Sequence, residues 1–130
     1  MKLTNDLSVG IIGGTGKTGQ QFATMFEKHG FNVMTSGSAS KDRNKELLQG
    51  CDVVIFSVPL QHSVDIIEEE IVHAERENQL LLDVSSLKEK QVAALLRGKG
   101  EVIGLHPLFA PSTDPHGQLI ILCPGRTTQE

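Results

Sequence analysis

Tryptophan and tyrosine are absent from this chain of 130 residues, cysteine occurs twice, and no stretch stays apolar for long. The last of these absences excludes a membrane-spanning helix, which needs roughly 18 consecutive apolar residues. The opening Met1-Lys2-Leu3-Thr4-Asn5-Asp6 has no long apolar core of the kind a signal peptide carries. Positive charge is not in excess either: 12 Lys and Arg against 16 Asp and Glu leave a net charge of −4. That balance gives no footprint for nucleic acid or an anionic membrane. Cys51 and Cys123 are not spaced as CxxC. They predict reduced core thiols, Cys51 beginning one strand and Cys123 ending another, and a cytoplasmic location. There is no internal repeat, low-complexity tract or linker. With 38% hydrophobic and 22% charged residues, the composition is that of a soluble globular protein. The length predicts one domain with a proper core, short for a two-domain enzyme.

Glycine, by contrast, is plentiful, and it is concentrated where a short apolar run stops. Val9-Gly10-Ile11-Ile12 leads into Gly13-Gly14-Thr15-Gly16-Lys17-Thr18-Gly19, and a helix-forming segment follows at once. Gly14, Gly16 and Gly19 fit G-x-G-x-x-G between a strand and a helix, the pattern of a dinucleotide-binding turn. Gly14 is expected to make the tight turn, Gly16 to let the backbone approach a pyrophosphate, and Gly19 to seat the helix against the strand. The helix N-terminus then offers free N–H groups and partial positive charge to the phosphates. The plainer alternative is a structural strand-to-helix turn that binds nothing.

Thr18, Phe22, Met25 and His29 share one face of that helix, with Phe26 beside them, and Gly30 is its expected terminator. Phe31–Ser36 reads as a second strand, which completes a right-handed parallel βαβ unit. At the end of this strand, NAD-binding units carry an acidic residue for the adenosine ribose. Here Ser36, Gly37 and Ser38 stand instead, with Lys41 and Arg43 just beyond. Small hydroxyl residues beside cations suit a 2′-phosphate, so NADP is expected ahead of NAD. Ser38 or Ser40 would also serve simply to cap a helix over Lys41–Gln49.

Further strands are expected over 52–59, 80–84, 101–105 and 118–123, the last stopped by Pro124-Gly125. The third is continuously apolar, as a strand covered on both faces should be. Between them, Leu60, Val64, Ile67, Ile71 and Ala74 mark the buried face of one helix, with its glutamates in solvent. A further helix packs through Val92, Leu95 and Leu96. Ser86 and Glu89 match a capping box at its start. The whole predicts an α/β Rossmann-type, doubly wound, mostly parallel sheet of about six strands in three layers.

Strand ends on the carboxyl edge of such a sheet place Gly14, Ser57, Ser86 and His106 along one crevice. His106 is the one plausible proton-transfer group among them, because an imidazole ordinarily titrates near neutrality. A hydrolase reading through Ser86, His106 and Asp83 lacks a G-x-S-x-G elbow. A metal site from His106, Asp114 and His116 matches no familiar ligand spacing.

Taken together, several stretches resemble the nucleotide-binding half of the prephenate dehydrogenases, the tyrosine-pathway enzymes. They are the glycine turn, Ser57-Val58-Pro59, Asp83-Val84-Ser85-Ser86-Leu87-Lys88, Gly104-Leu105-His106-Pro107-Leu108-Phe109 and Cys123-Pro124-Gly125-Arg126. The glycine motif is generic, whereas D-x-S-S-L-K followed by G-L-H-P-L-F is specific. The resemblance runs from about Ser8 to Arg126. It implies NADP- or NAD-linked oxidative decarboxylation of prephenate or arogenate, with His106 and Ser86 as catalytic residues that hold the substrate's ring hydroxyl. The expected cofactor contacts are Gly14, Thr15, Gly16, Lys17, Thr18 and Gly19; Ser36, Gly37 and Ser38; Ser57, Val58 and Pro59; and Ser85. Ala110-Pro111 departs from the family's G-L-H-P-M-F-G pattern. The resemblance also implies a helical second domain, supplying substrate contacts and most of the dimer interface, that is absent from these residues. Two alternatives stay open: another NADP-dependent dehydrogenase or reductase on the same scaffold, and a module that binds NADP without turnover.

Overall fold

The structure is a computed structural model that describes residues 6–127. Its frame is a sheet of six strands in the order β2-β1-β3-β4-β5-β6. β1 (Ser8–Ile12), β2 (Asn32–Ser36), β3 (Val53–Phe56), β4 (Leu80–Asp83) and β5 (Glu101–Pro107) run parallel, and β6 (Ile120–Arg126) closes one edge antiparallel. The chain leaves β1 to one side for β2 and then crosses back to β3 on the other. The resulting switch point puts a crevice at the carboxyl ends of β1 and β3.

Four helices cover the sheet: α1 (Lys17–Lys28), α2 (Arg43–Gly50), α3 (Leu60–Glu70) and α4 (Glu89–Leu95). Because strand side chains alternate between faces, each central strand feeds two cores. Val9, Ile11, Val53 and Ile55 join Phe22 and Ala23 of α1 on one face. Ile12, Val54 and Phe56 join Leu47, Leu48, Ile67 and Leu95 from α2, α3 and α4 on the other. The doubly wound, three-layered arrangement expected from the sequence is therefore present. Beyond the reach of these helices, Leu119 (71% exposed) and Leu122 (59%) stand in solvent at and beside β6.

α1 ends as its sequence predicts. Gly30 takes φ +84°, its N–H bonds the Glu27 carbonyl, and the Phe31 N–H reaches back to Phe26. The two phenylalanine rings meet edge to face at 5.5 Å, the apolar contact that accompanies this kind of helix end.

Four expectations are corrected. The segment after β2 is not one helix over 41–49: a 3-10 turn at Ser38–Ser40 precedes α2, and Ser40 Oγ accepts from the Gly37 N–H instead of capping α2. The capping box of Ser86 and Glu89 does not form; Lys88 occupies the N-cap of α4 with no side-chain cap. Pro124-Gly125 does not stop the last strand, which runs through both to Arg126. A free edge needs no N–H from proline, and the register slips there, Val102 facing Arg126 and Ile103 facing Pro124. Cys123 consequently lies within β6, while buried Cys51 immediately follows α2; both are free thiols.

Candidate functional site: the carboxyl-edge crevice

The turn after β1 is made by Gly13, not Gly14. Gly13 has φ +86°, and its N–H and that of Gly14 both bond the Ser36 carbonyl, at 3.0 and 2.9 Å. Gly14 instead lets β2 come close, since a Cβ there would lie 2.6 Å from Thr35 Cβ. At Gly19 a Cβ would meet the Gly13 carbonyl oxygen at 2.5 Å, so α1 can start against the turn only because that position has no side chain. Gly16 differs: its Cβ would meet nothing nearer than 3.6 Å. The uncrowded position of Gly16, beside a helix N-terminus that no side chain caps, suits a diphosphate held by backbone N–H groups.

A cavity of about 260 Å³ continues from this turn toward the end of β2. Thr15, Gly16, Ser36, Gly37 and Ser38 line one side of it, and Ser57, Val58 and Pro59 the other. Ile66, Glu69 and Glu70 of α3, which the sequence does not mark as contacts, also line it, as do Ile12, Gly13 and Asn44. The acidic run reads in sequence as a solvated face, and the packing of α3 brings its Glu69 and Glu70 to the border of the cavity. Lys41 is the cation of the lining, and buried Asn44 fixes the rim by accepting from Ser36 Oγ at 2.5 Å. The Ser36 hydroxyl is thus engaged within the protein, while the Ser38 side chain is exposed.

Ser57 follows the end of β3, Ser85 and Ser86 follow β4, and His106 lies within the last residues of β5, still paired with Ile121 of β6. Phe56 pairs with Asp83, and Asp83 with Gly104, so all four sit at the carboxyl edge of neighbouring strands spaced ~4.8 Å apart. His106 is half-buried and Ser86 is exposed at this edge. Ser85 turns inward: its hydroxyl lies 2.6 Å from Asp83 Oδ2. Asp83, 1% exposed, is also paired with Lys88 at 2.8 Å, so its carboxylate serves this turn rather than His106. Lys17 and Thr18 are not among the residues lining the cavity. Lys17 faces a separate open groove between α1 and the segment 111–116, where Gln21 bonds the Thr113 carbonyl. Among the described residues, no group of three or more His, Cys, Asp or Glu is placed to hold a metal ion. No helix among them is long and apolar enough to cross a membrane.

Displaced titrations sit on the opposite edge. Burial pushes the Cys51 thiol up. The Ser8 backbone N–H, followed by Arg76, holds the Asp52 carboxyl below its ordinary range. Asp52 accepts from Ser8 N at 2.9 Å and pairs with Arg76 at 2.8 Å, which ties the amino ends of β1 and β3 together. These groups hold the sheet together away from the crevice.

Comparison with known proteins gives the family. The family model described as prephenate dehydrogenase, nucleotide-binding domain, matches residues 34–130. A probable arogenate/prephenate dehydrogenase of Methanocaldococcus jannaschii is 37% identical over 96% of this chain and 32% of its own length. The T-protein of Haemophilus influenzae is 34% identical over 89% of this chain and 31% of its own. The chain thus spans about a third of the length of these curated relatives. Among solved structures, prephenate dehydrogenase from A. aeolicus, in complex with hydroxyphenyl propionate and NAD+, superposes with a TM-score of 0.71. It is 21% identical and matches 95% of this chain and 52% of that one. Synechocystis arogenate dehydrogenase gives 0.67 at 19% identity, over 82% of this chain and 43% of that one. These two share the fold. On the family match and the sequence identities, this chain belongs to the prephenate dehydrogenase family, as its nucleotide-binding domain.

Proposed function

We propose that this chain carries the cofactor half of an NADP-linked prephenate or arogenate dehydrogenase. The observation that carries the reading is the convergence, on one carboxyl edge, of an uncapped helix N-terminus at Gly16 with the strand ends bearing Ser57, Ser86 and His106. The diphosphate would lie on the Gly16 turn, and the adenosine end in the cavity between Ser38 and Ile66. Lys41 and Ser38 would take a 2′-phosphate at the end of β2, in a cavity that Glu69 and Glu70 of α3 also border. NAD is the second choice.

A bound nicotinamide supplies a hydride acceptor. The protein's own groups then have simple tasks. His106 accepts the proton of the substrate's ring hydroxyl as the hydride leaves the carbon that bears it, and Ser86 holds that hydroxyl in place. Loss of carbon dioxide aromatises the ring. The open carboxyl edge is where the remaining two-thirds of a full-length relative would bring its substrate contacts.

Calorimetric titration of the chain with NADP and NAD tests the cofactor assignment, and absence of binding to both would sink it. His106→Asn tests the chemistry. It should leave melting temperature and cofactor affinity near those of the parent. In a chain extended to the family's full length, it should cut turnover by about 10²–10⁴-fold.

A further inference from the structure

We propose that Lys88 is a positioning residue, which locks the turn carrying Ser86 against the strand carrying His106. The proposal rests on the roles given to those two residues above. Lys88 reaches back from the N-cap of α4 to the end of β4. Its Nζ donates to the Asp83 carboxylate at 2.8 Å and to the Asp83 carbonyl at 3.0 Å. Asp83 Oδ1 is buried and has no hydrogen-bond partner among the described residues. Compensation of the carboxylate therefore falls on Oδ2, which receives Lys88 Nζ and, from Ser85, the N–H at 3.3 Å and the hydroxyl at 2.6 Å.

The stem of the same lysine reaches the neighbouring strand. A Cβ at Gly104 would lie 2.8 Å from Lys88 Cδ, so the methylenes rest directly on β5 two residues before His106. Lys88 thus touches both halves of the edge. Its ammonium closes the turn that runs from Asp83 through Ser86, and its stem packs on the backbone that leads to His106. Exposed Ser86 has no side-chain hydrogen bond among the described residues; the Ser85 hydroxyl, which also reaches the Leu87 carbonyl at 2.9 Å, holds the turn around it, and Lys88 shares Asp83 Oδ2 with that hydroxyl.

Stability and positioning can be separated, because a buried ion pair can be replaced by a neutral pair of similar volume at little cost, whereas removing one partner is expensive. The comparison is made on the 130-residue protein with Lys88→Met, Lys88→Arg and the double variant Asp83→Asn/Lys88→Met. Lys88→Met should melt on the order of 10 °C below the parent, and the double variant should recover most of that loss. Positioning predicts that the recovered double variant is nevertheless altered locally. Amide exchange at Ser85, Ser86 and Leu87 should quicken at least tenfold and the His106 ring resonances should move, while α1 and β1 exchange as in the parent. Its NADP affinity should also fall toward that of 2′-phospho-ADP-ribose, which has no nicotinamide. Lys88→Arg, which keeps the charge, should restore slow exchange. A double variant with parent-like melting, parent-like exchange in the turn and unmoved His106 resonances would overturn the proposal. Loss of dinucleotide binding in the parent would count against the assigned function alone, since the exchange and resonance measurements still decide the clamp.

Discussion

Gly13 and Ser57 lie so close that a Cβ on Gly13 would fall on the Ser57 carbonyl oxygen. The contact joins the turn after β1 to the end of β3 across the switch point, so the crevice is narrow because position 13 has no side chain. Gly13→Ala should therefore destabilise the fold by more than the ~1–2 kcal/mol of the left-handed backbone alone. Gly16→Val, placed where a Cβ makes only ordinary contact with the Gly13 carbonyl oxygen at 3.6 Å, should melt within a few degrees of the parent and yet bind no dinucleotide. Thermal melts with calorimetric titration check both. Unchanged affinity in Gly16→Val would remove the diphosphate from this turn.

Cofactor choice should be set at Ser38 and Lys41. Gly37→Asp is an unsuitable probe, because a Cβ there meets Thr15 Oγ1 at 2.6 Å and would disturb the glycine turn itself. Ser38→Asp adds the acid on an exposed side chain and should turn the preference toward NAD. Lys41→Ala should weaken NADP by about tenfold or more while leaving NAD nearly unchanged. The NADP preference should shrink as salt rises. Equal parent affinities for the two cofactors would rule out this assignment.

Asp52 predicts a pH dependence remote from the site. Its folded-state carboxyl titrates below the unfolded value of 3.8, so the Asp52 carboxylate stabilises the fold at neutral pH. That contribution is complete above the unfolded value and is lost as pH falls through the lower folded one. Asp52→Asn should therefore be less stable than the parent in urea at pH 7, and the gap should begin to narrow as pH falls below about 4. A gap that does not narrow on acidification below that point would show that the carboxylate's charge is not the cause.

The two thiols should separate kinetically. Cys51 is 1% exposed and burial raises its thiol, so it should react with a maleimide only as fast as the fold opens. Cys123, partly exposed within the edge strand β6, should label first. Mass spectrometry of a labelling time course distinguishes them, and simultaneous modification would contradict the packing of α2 on β1.

By itself, the sequence determined what depends on local pattern. Short apolar runs bounded by turn residues read as strands covered on both faces, and the glycine cluster between a strand and a helix reads as a tight turn. A Gly after Lys28-His29 ends α1 whatever surrounds it. Strand count, the parallel βαβ start and the edge carrying Ser57, Ser86 and His106 follow from those features. The tertiary structure decided what depends on neighbours distant in sequence. Gly13, not Gly14, is the left-handed residue of the turn and also lies against the Ser57 carbonyl, a crowding that nothing in residues 13–19 reveals. Glu69 and Glu70 border the cavity because the packing of α3 brings them there. Ser86 loses its capping role because Lys88 is drawn to buried Asp83, and a buried charge outweighs an N-cap hydrogen bond of about 1 kcal/mol. Pro124 stays in a strand because β6 lies at the edge, where the sheet asks for no further N–H.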